Sequence, residues 1–117
     1  MLNIPVQRNI IEFSELREPE NYFGEPIGDR PNQGAAILHS DLNKGLVMGI
    51  WQCEPGQLKL HIVKAEFVHI ITGHWVLTSD EGEVTELKAG DSAYLKNGWS
   101  GIGDIKKTVR KVFAMSV

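Results

Sequence analysis

Glu66 and Lys111 are the two side chains whose setting in the sequence invites chemistry. Glu66 opens the run EFVHIITG (66–73). Alternate residues of a strand point to opposite faces, so an inward Glu66 carries Val68 and Ile70 inward with it and turns Phe67, His69 and Ile71 outward. Near the end of the chain Val109, Lys111, Phe113, Met115 and Val117 share one side, and Thr108, Arg110, Val112, Ala114 and Ser116 share the other, which sets Lys111 in the more apolar row. A carboxylate or an ammonium is costly in an apolar interior unless it is paired. An inward Glu66 beside an inward Lys111 satisfies both charges. Such a pair offers a general base or hydrogen-bond acceptor next to a cation that holds an anionic group or tunes the carboxylate. The alternative is a Lys111 that points to solvent and a Glu66 bonded to a neighbouring hydroxyl.

Other reactive side chains are weaker candidates. His61 alternates with Lys59 in QLKLHIV (57–63), where Leu58, Leu60 and Ile62 form the apolar row, so it belongs on the polar face; its other reading is a ligand-binding group. His69 has apolar neighbours and suits packing or a dimer contact, while His39 and His74 stand beside turns and suit the surface. No paired spacing of the kind that zinc or iron sites use occurs among the four histidines, so metal binding is not expected. Trp51, Tyr94 and Trp99 would line a pocket with Glu66, since small-ligand sites are mostly apolar with a few convergent polar groups; core packing or a dimer seam is the competing role. Cys53 is the single cysteine, which excludes an intrachain disulfide and leaves an inert strand thiol unless a base lies beside it. A phosphate-cradling glycine loop before a helix and a strand-to-helix serine elbow are both missing from the sequence.

The elements that must position these groups are strands. Residues 1–32 are rich in Pro, Glu, Asn and Gly and read as an irregular arm or lid, with one short helix over 11–17 whose Ile11, Phe13 and Leu16 would dock on a body built elsewhere. From Gln33 onward short β-branched and aromatic runs are broken by turn residues, the mark of an all-β barrel or sandwich. Strands are predicted near 34–39, 45–53, 57–63, 66–72, 74–79, 83–88, 91–96, 99–103 and 107–116. The turn-forming stretches at 41–45, 55–56, 80–82 and 89–91 agree. No helical period long enough for a crossover follows residue 33, which disfavours parallel α/β architectures.

A chain of 117 residues, 42% hydrophobic and 23% charged, has the size of one domain with one core: the arm at 1–32 and a single barrel over 33–117. Its net charge of -3, with both signs mixed, provides no positive field for a phosphate backbone, so nucleic acid is not an expected partner. MLNIPVQRNI has no apolar run after a basic segment, and nothing later approaches a membrane span in length, so the expectation is no membrane association and a cytoplasmic location.

Five segments, GIWQCEPG (49–56), EFVHIITG (66–73), AGD (89–91), NGWSG (97–101) and TVRK (108–111), resemble the small single-domain cupins similar to the (S)-ureidoglycine aminohydrolase cupin domain and to the ethanolamine-utilisation cupin. The resemblance covers about residues 45–117. It implies an all-β double-stranded β-helix of the RmlC-like, jelly-roll kind, commonly a homodimer, with mostly unassigned activity. Six residues separate Glu66 from Gly73, as the cupin pattern requires, but no His-any-His pair lies between Gly56 and Glu66, and the second pattern has Lys96 for its Pro and Gly101 for its His. Three of the four usual metal ligands are therefore missing, and no cofactor is expected.

Three functions follow from these readings. The first is a metal-independent enzyme or binder of a small polar metabolite, with Glu66 and Lys111 at its centre and isomerase, epimerase or lyase chemistry in reach. The second is a metal-dependent cupin of the ureidoglycine aminohydrolase or dioxygenase type that uses Glu66 with histidines the spacing does not reveal. The third is a non-catalytic accessory or sensor barrel. The apolar outer row at Phe67, His69 and Ile71 points to a homodimer in each case.

Overall fold

The computed structural model describes residues 2–8, 12, 16–19 and 22–116. Turn residues divide them into eight strands: β1 Glu25–Ile27, β2 Gln33–Asp41, β3 Leu46–Cys53, β4 Gly56–His61, β5 Glu66–Ser79, β6 Val84–Lys88, β7 Ser92–Leu95 and β8 Ser100–Ser116. All pairings are antiparallel, and no helix occurs among the described residues. The all-β class expected from the turn spacing is the observed one.

Two long strands form the spine. β8 pairs along its length with β5, while its other edge pairs with β4 over Ser100 to Ile105 and with β3 over Val109 to Ser116. The free edge of β5 takes β7 at its start and β6 near its end. β2 and β1 extend the sheet beyond β3 and β4. Each spine strand therefore belongs to two halves of a curled sheet. The inward rows of both halves meet in one core that includes Trp51, Leu58, Leu60, Val68, Ile70, Trp75, Leu77, Ile105 and Val109.

The curl depends on irregularity in β5. Its register against β8 shifts between Ile70 and Thr72, between Thr72 and His74, and between His74 and Trp75. Gly73 sits inside this stretch with φ of 105°, and a Cβ there would lie 2.3 Å from the Thr108 carbonyl oxygen. No other residue fits so close a backbone crossing in that conformation. Gly73 was expected to end one strand and begin the next; instead the chain stays in the sheet and bends. The predicted strands over 99–103 and 107–116 are likewise one strand, β8, whose exposed Lys106, Lys107 and Thr108 carry it between the halves without the hydrophobic alternation that marks a strand in sequence.

The arm is more structured than its composition suggests. β1 was not expected; it pairs with β4 through Glu25 to Lys59, Pro26 to Leu58 and Ile27 to Gln57. The predicted helix over 11–17 lies largely outside the described residues, Ile11 and Phe13 included. At its end Arg17 forms an isolated antiparallel bridge to Ala35, and the Leu16 side chain covers Gly34.

Candidate functional site

Lys111 and Trp51 are direct cross-strand partners on β8 and β3, and Ile70 flanks Lys111 on β5. Glu66, the first residue of β5, stands between Leu95 and Met115. Alternation turns all of these side chains inward, as the apolar rows predicted. The Lys111 Nζ donates to Glu66 Oε1 at 2.6 Å. Both groups are enclosed, at 1% and 4% exposure.

Four aromatic rings surround the ammonium. Its Nζ lies 4.5 Å from the ring centroids of Phe23 and Trp51, 5.4 Å from Trp75 and 5.9 Å from Phe113. The negative faces of such rings attract a desolvated cation. Burial pushes the Lys111 ammonium below its ordinary value, and the Glu66 carboxylate works against that shift. The arrangement is an acid–base pair in an apolar box. A carboxylate in such a setting can accept a proton or hydrogen bond, and an ammonium can pair with an anionic group.

Gln33 and Cys53 adjoin the box and are partners across β2 and β3. The buried Gln33 amide makes a two-point clamp on Phe23: the Phe23 N–H donates to Gln33 Oε1 at 2.9 Å, and Gln33 Nε2 donates to the Phe23 carbonyl at 2.7 Å. Trp51 Nε1 also donates to Gln33 Oε1, at 3.3 Å. Burial pushes the Cys53 thiol up to about 12, so it stays protonated at neutral pH and is no nucleophile in this state.

Of the other side chains expected at the site, Trp51 forms one wall and Trp99 packs against the core from the turn before β8. Tyr94 and His61 are not brought to the pair. Tyr94 lies opposite Phe67 on the outer face, 61% exposed, and His61 closes β4 on its exposed side. Alternation accounts for both, since Leu95 and Leu60 next to them take the inward positions.

Phe23, Gln33, Trp75 and Phe113 were not singled out from the sequence. Strict alternation from Glu66 turns Trp75 outward; the register shifts around Gly73 reverse it, and a glycine inside an otherwise apolar run was the available signal. Phe113 shares the Lys111 row and was readable there. Phe23 interrupts a polar arm, and only the fold reveals what it covers.

The described residues do not suit a metal. They contain no group of three or more His, Cys, Asp or Glu placed to hold one. His69 bonds Ser92 Oγ at 2.8 Å and His74 meets Glu86 at 2.6 Å, while His39 and His61 are exposed. A histidine at 101 is excluded sterically, because a Cβ there would lie 2.1 Å from the Thr78 carbonyl oxygen. Beside Glu66 stands a cation already, the Lys111 ammonium.

An antiparallel sheet curled around an enclosed polar centre places the chain in the cupin class. The EutQ-like cupin domain matches residues 42–113, more than half of the chain, which therefore belongs to that family. Solved structures agree at the level of fold. A putative ethanolamine utilization protein Q from Salmonella typhimurium LT2 is 19% identical, with 73% of this chain and 69% of that one covered, at a TM-score of 0.64. A protein of unknown function from Pseudomonas syringae pv. tomato is 22% identical over 88% of this chain and 43% of that one, at 0.73. Ectoine synthase from P. lautus is 14% identical over 93% and 78%, at 0.65. No curated protein matches the chain.

Proposed function

We propose that this chain is a small-molecule-binding cupin that works without a metal. A small polar metabolite enters the lumen, Glu66 serves as its acid, base or hydrogen-bond acceptor, and Lys111 holds an anionic group of it. The observation that carries this reading is the 2.6 Å contact between Lys111 and Glu66 inside an aromatic box, where a cupin's ligand is taken up. One neighbour in fold bears an enzyme's name, ectoine synthase, so turnover belongs in the tests beside binding.

The enclosure of both charges favours a second reading, a non-catalytic barrel in which the pair is structural. We further take the protein to be a cytoplasmic homodimer, with 1–32 as an arm on the barrel of 33–117. Phe67 and Tyr94 stand exposed side by side, and a nearby groove of about 250 Å³ is lined by Met48, Ile50, Phe67, Val112 and Ala114. A second copy would cover that face.

Thermal-shift and calorimetric screening against small carboxylic acids, amines and ureides tests the main reading. Wild type is expected to bind a member of one class, with the affinity lost in Glu66→Gln and Lys111→Met. Close to one iron, manganese, nickel or zinc per purified chain, lost on Glu66→Gln, would contradict it. A screen without binders would favour the structural reading.

A further inference from the structure

The centre is closed, so a ligand needs a way in, and the four walls of the box are unequally held. Trp51, Trp75 and Phe113 stand on β3, β5 and β8, each of which is hydrogen-bonded to strands on both sides. Displacing the backbone of any of them breaks sheet hydrogen bonds. Phe23 stands in no strand. Beyond it the chain turns at Gly24, φ +85°, where a Cβ would lie 2.7 Å from Leu60 Cδ2, and then adds only the three residues of β1 to the edge of the sheet at β4. Gly28 follows with φ +81° and no atom within 4 Å of where a Cβ would stand, which leaves room for a pivot.

Among the described residues the remaining attachments are side-chain contacts of a handful of groups. Gln33 clamps the Phe23 backbone at two points, and the Tyr22 hydroxyl donates to the Pro31 carbonyl while Arg30 lies 4.2 Å over the Tyr22 ring. Phe23 meets Trp51 and Trp75 edge-on, at 5.4 and 6.1 Å between centroids. Segments held by few hydrogen bonds and little buried surface open at far lower free energy than central strands do.

We propose that residues 22–27 are the gate of the Glu66–Lys111 site and that the Gln33 side chain is its latch: a ligand reaches Lys111 when Phe23 lifts away, while Trp51, Trp75 and Phe113 stay in place. This rests on the small-molecule reading above for its purpose, but the motion is testable without a ligand. Gln33 is a positioning residue in this scheme, acting through Phe23.

Cys53 supplies the reporter. It is fully buried, is the chain's only cysteine, follows Trp51 in the inward row of β3 and lies opposite Gln33 in the sheet. Tyr22 and Phe23 pack against the core cluster to which Cys53 belongs, and Gln33, the cross-strand partner of Cys53, holds the Phe23 backbone.

The test is the labelling rate of Cys53 by 5,5′-dithiobis(2-nitrobenzoic acid) as a function of urea. Wild type is expected to label at a slow rate that stays flat at low urea, since a local opening exposes little surface, and that climbs only near the unfolding transition. Gln33→Leu removes two hydrogen bonds of the latch and should raise the flat rate by roughly ten- to a hundredfold. Leu77→Ala, a core cavity in the other half of the sheet, should lower the unfolding midpoint and leave the flat rate unchanged. A wild-type rate that rises steeply with urea from zero means that only global unfolding exposes Cys53 and overturns the gate, even where Gln33→Leu does not fold. Equal acceleration by Gln33→Leu and Leu77→Ala overturns it as well. Either result leaves the binding reading to be judged by its own ligand screen.

Discussion

The two faces of β5, β7 and β8 reverse the usual arrangement of a sheet. Inside, Glu66 and Lys111 put two charges where the surrounding side chains are Val68, Ile70, Trp51 and Trp75; outside, Phe67 and Tyr94 stand next to each other in solvent. A monomeric barrel with a purely structural interior has little reason for either. Large exposed apolar residues are informative when they are neighbours, and buried charges are informative whenever they occur. In the proposal made above, the inner face is a ligand site and the outer face a surface for association. One strand, read at period two, thus sets buried charges on one side and exposed aromatic rings on the other.

The largest loss of stability is expected at Lys111. Replacing it with Met leaves Glu66 buried without its partner, which should cost about 3 kcal/mol or more. Lys59→Met, on the exposed face of β4, should stay within about 0.5 kcal/mol. Urea titration of both variants checks the contrast, and equal small losses would mean that Lys111 is not held inside.

A pH titration sharpens the inner face. Folded Cys53 keeps its proton up to about 12, while the unfolded thiol releases it near 9. Between those values the native state holds more protons than the unfolded state, so this group makes stability fall as pH rises, by at most about 1.4 kcal/mol per pH unit. Lys111 acts with the opposite sign: held below its ordinary value of 10.5, it carries fewer protons folded than unfolded in the window beneath that value, and stability there rises with pH. Above 10.5, where the Lys111 contribution has ended, wild type is expected to lose stability up to about pH 12, and Cys53→Ala should weaken that decline in urea midpoints. The same decline in both proteins would place its origin elsewhere.

The smallest effect on stability, and a large one on assembly, is expected at Phe67. Phe67→Asp should change the free energy of the folded chain by no more than about 0.5 kcal/mol and convert a sedimenting dimer to a monomer. Wild type that already sediments as a monomer at micromolar concentration would remove the association half of the comparison.

The Glu66–Lys111 contact was legible in the sequence because each residue sits in a regular stretch of strand where alternation fixes the face, and because neither charge is tolerable alone in an apolar row. Trp75 was not legible, since the register shifts around Gly73 reverse the face and depend on a backbone approach to Thr108 from the far end of the chain. Phe23 and Gln33 were hidden for a related reason: their clamp joins an irregular arm to the first residue of β2, and no local pattern announces a contact between loop backbone and a side-chain amide. Tyr94 and His61 were named as ligand-lining residues by type, and strand alternation places both on the outside.

A double-mutant cycle decides whether Glu66 and Lys111 act on one another in the folded chain. The stabilities of wild type, Glu66→Gln, Lys111→Met and the double variant are measured by urea titration. Each single change should strand a buried group, and the double change should recover part of the loss because no unpaired charge remains, giving a coupling of roughly 1–3 kcal/mol. Losses that simply add would show that the two side chains do not act on one another, and the paired centre on which the site is built would not exist.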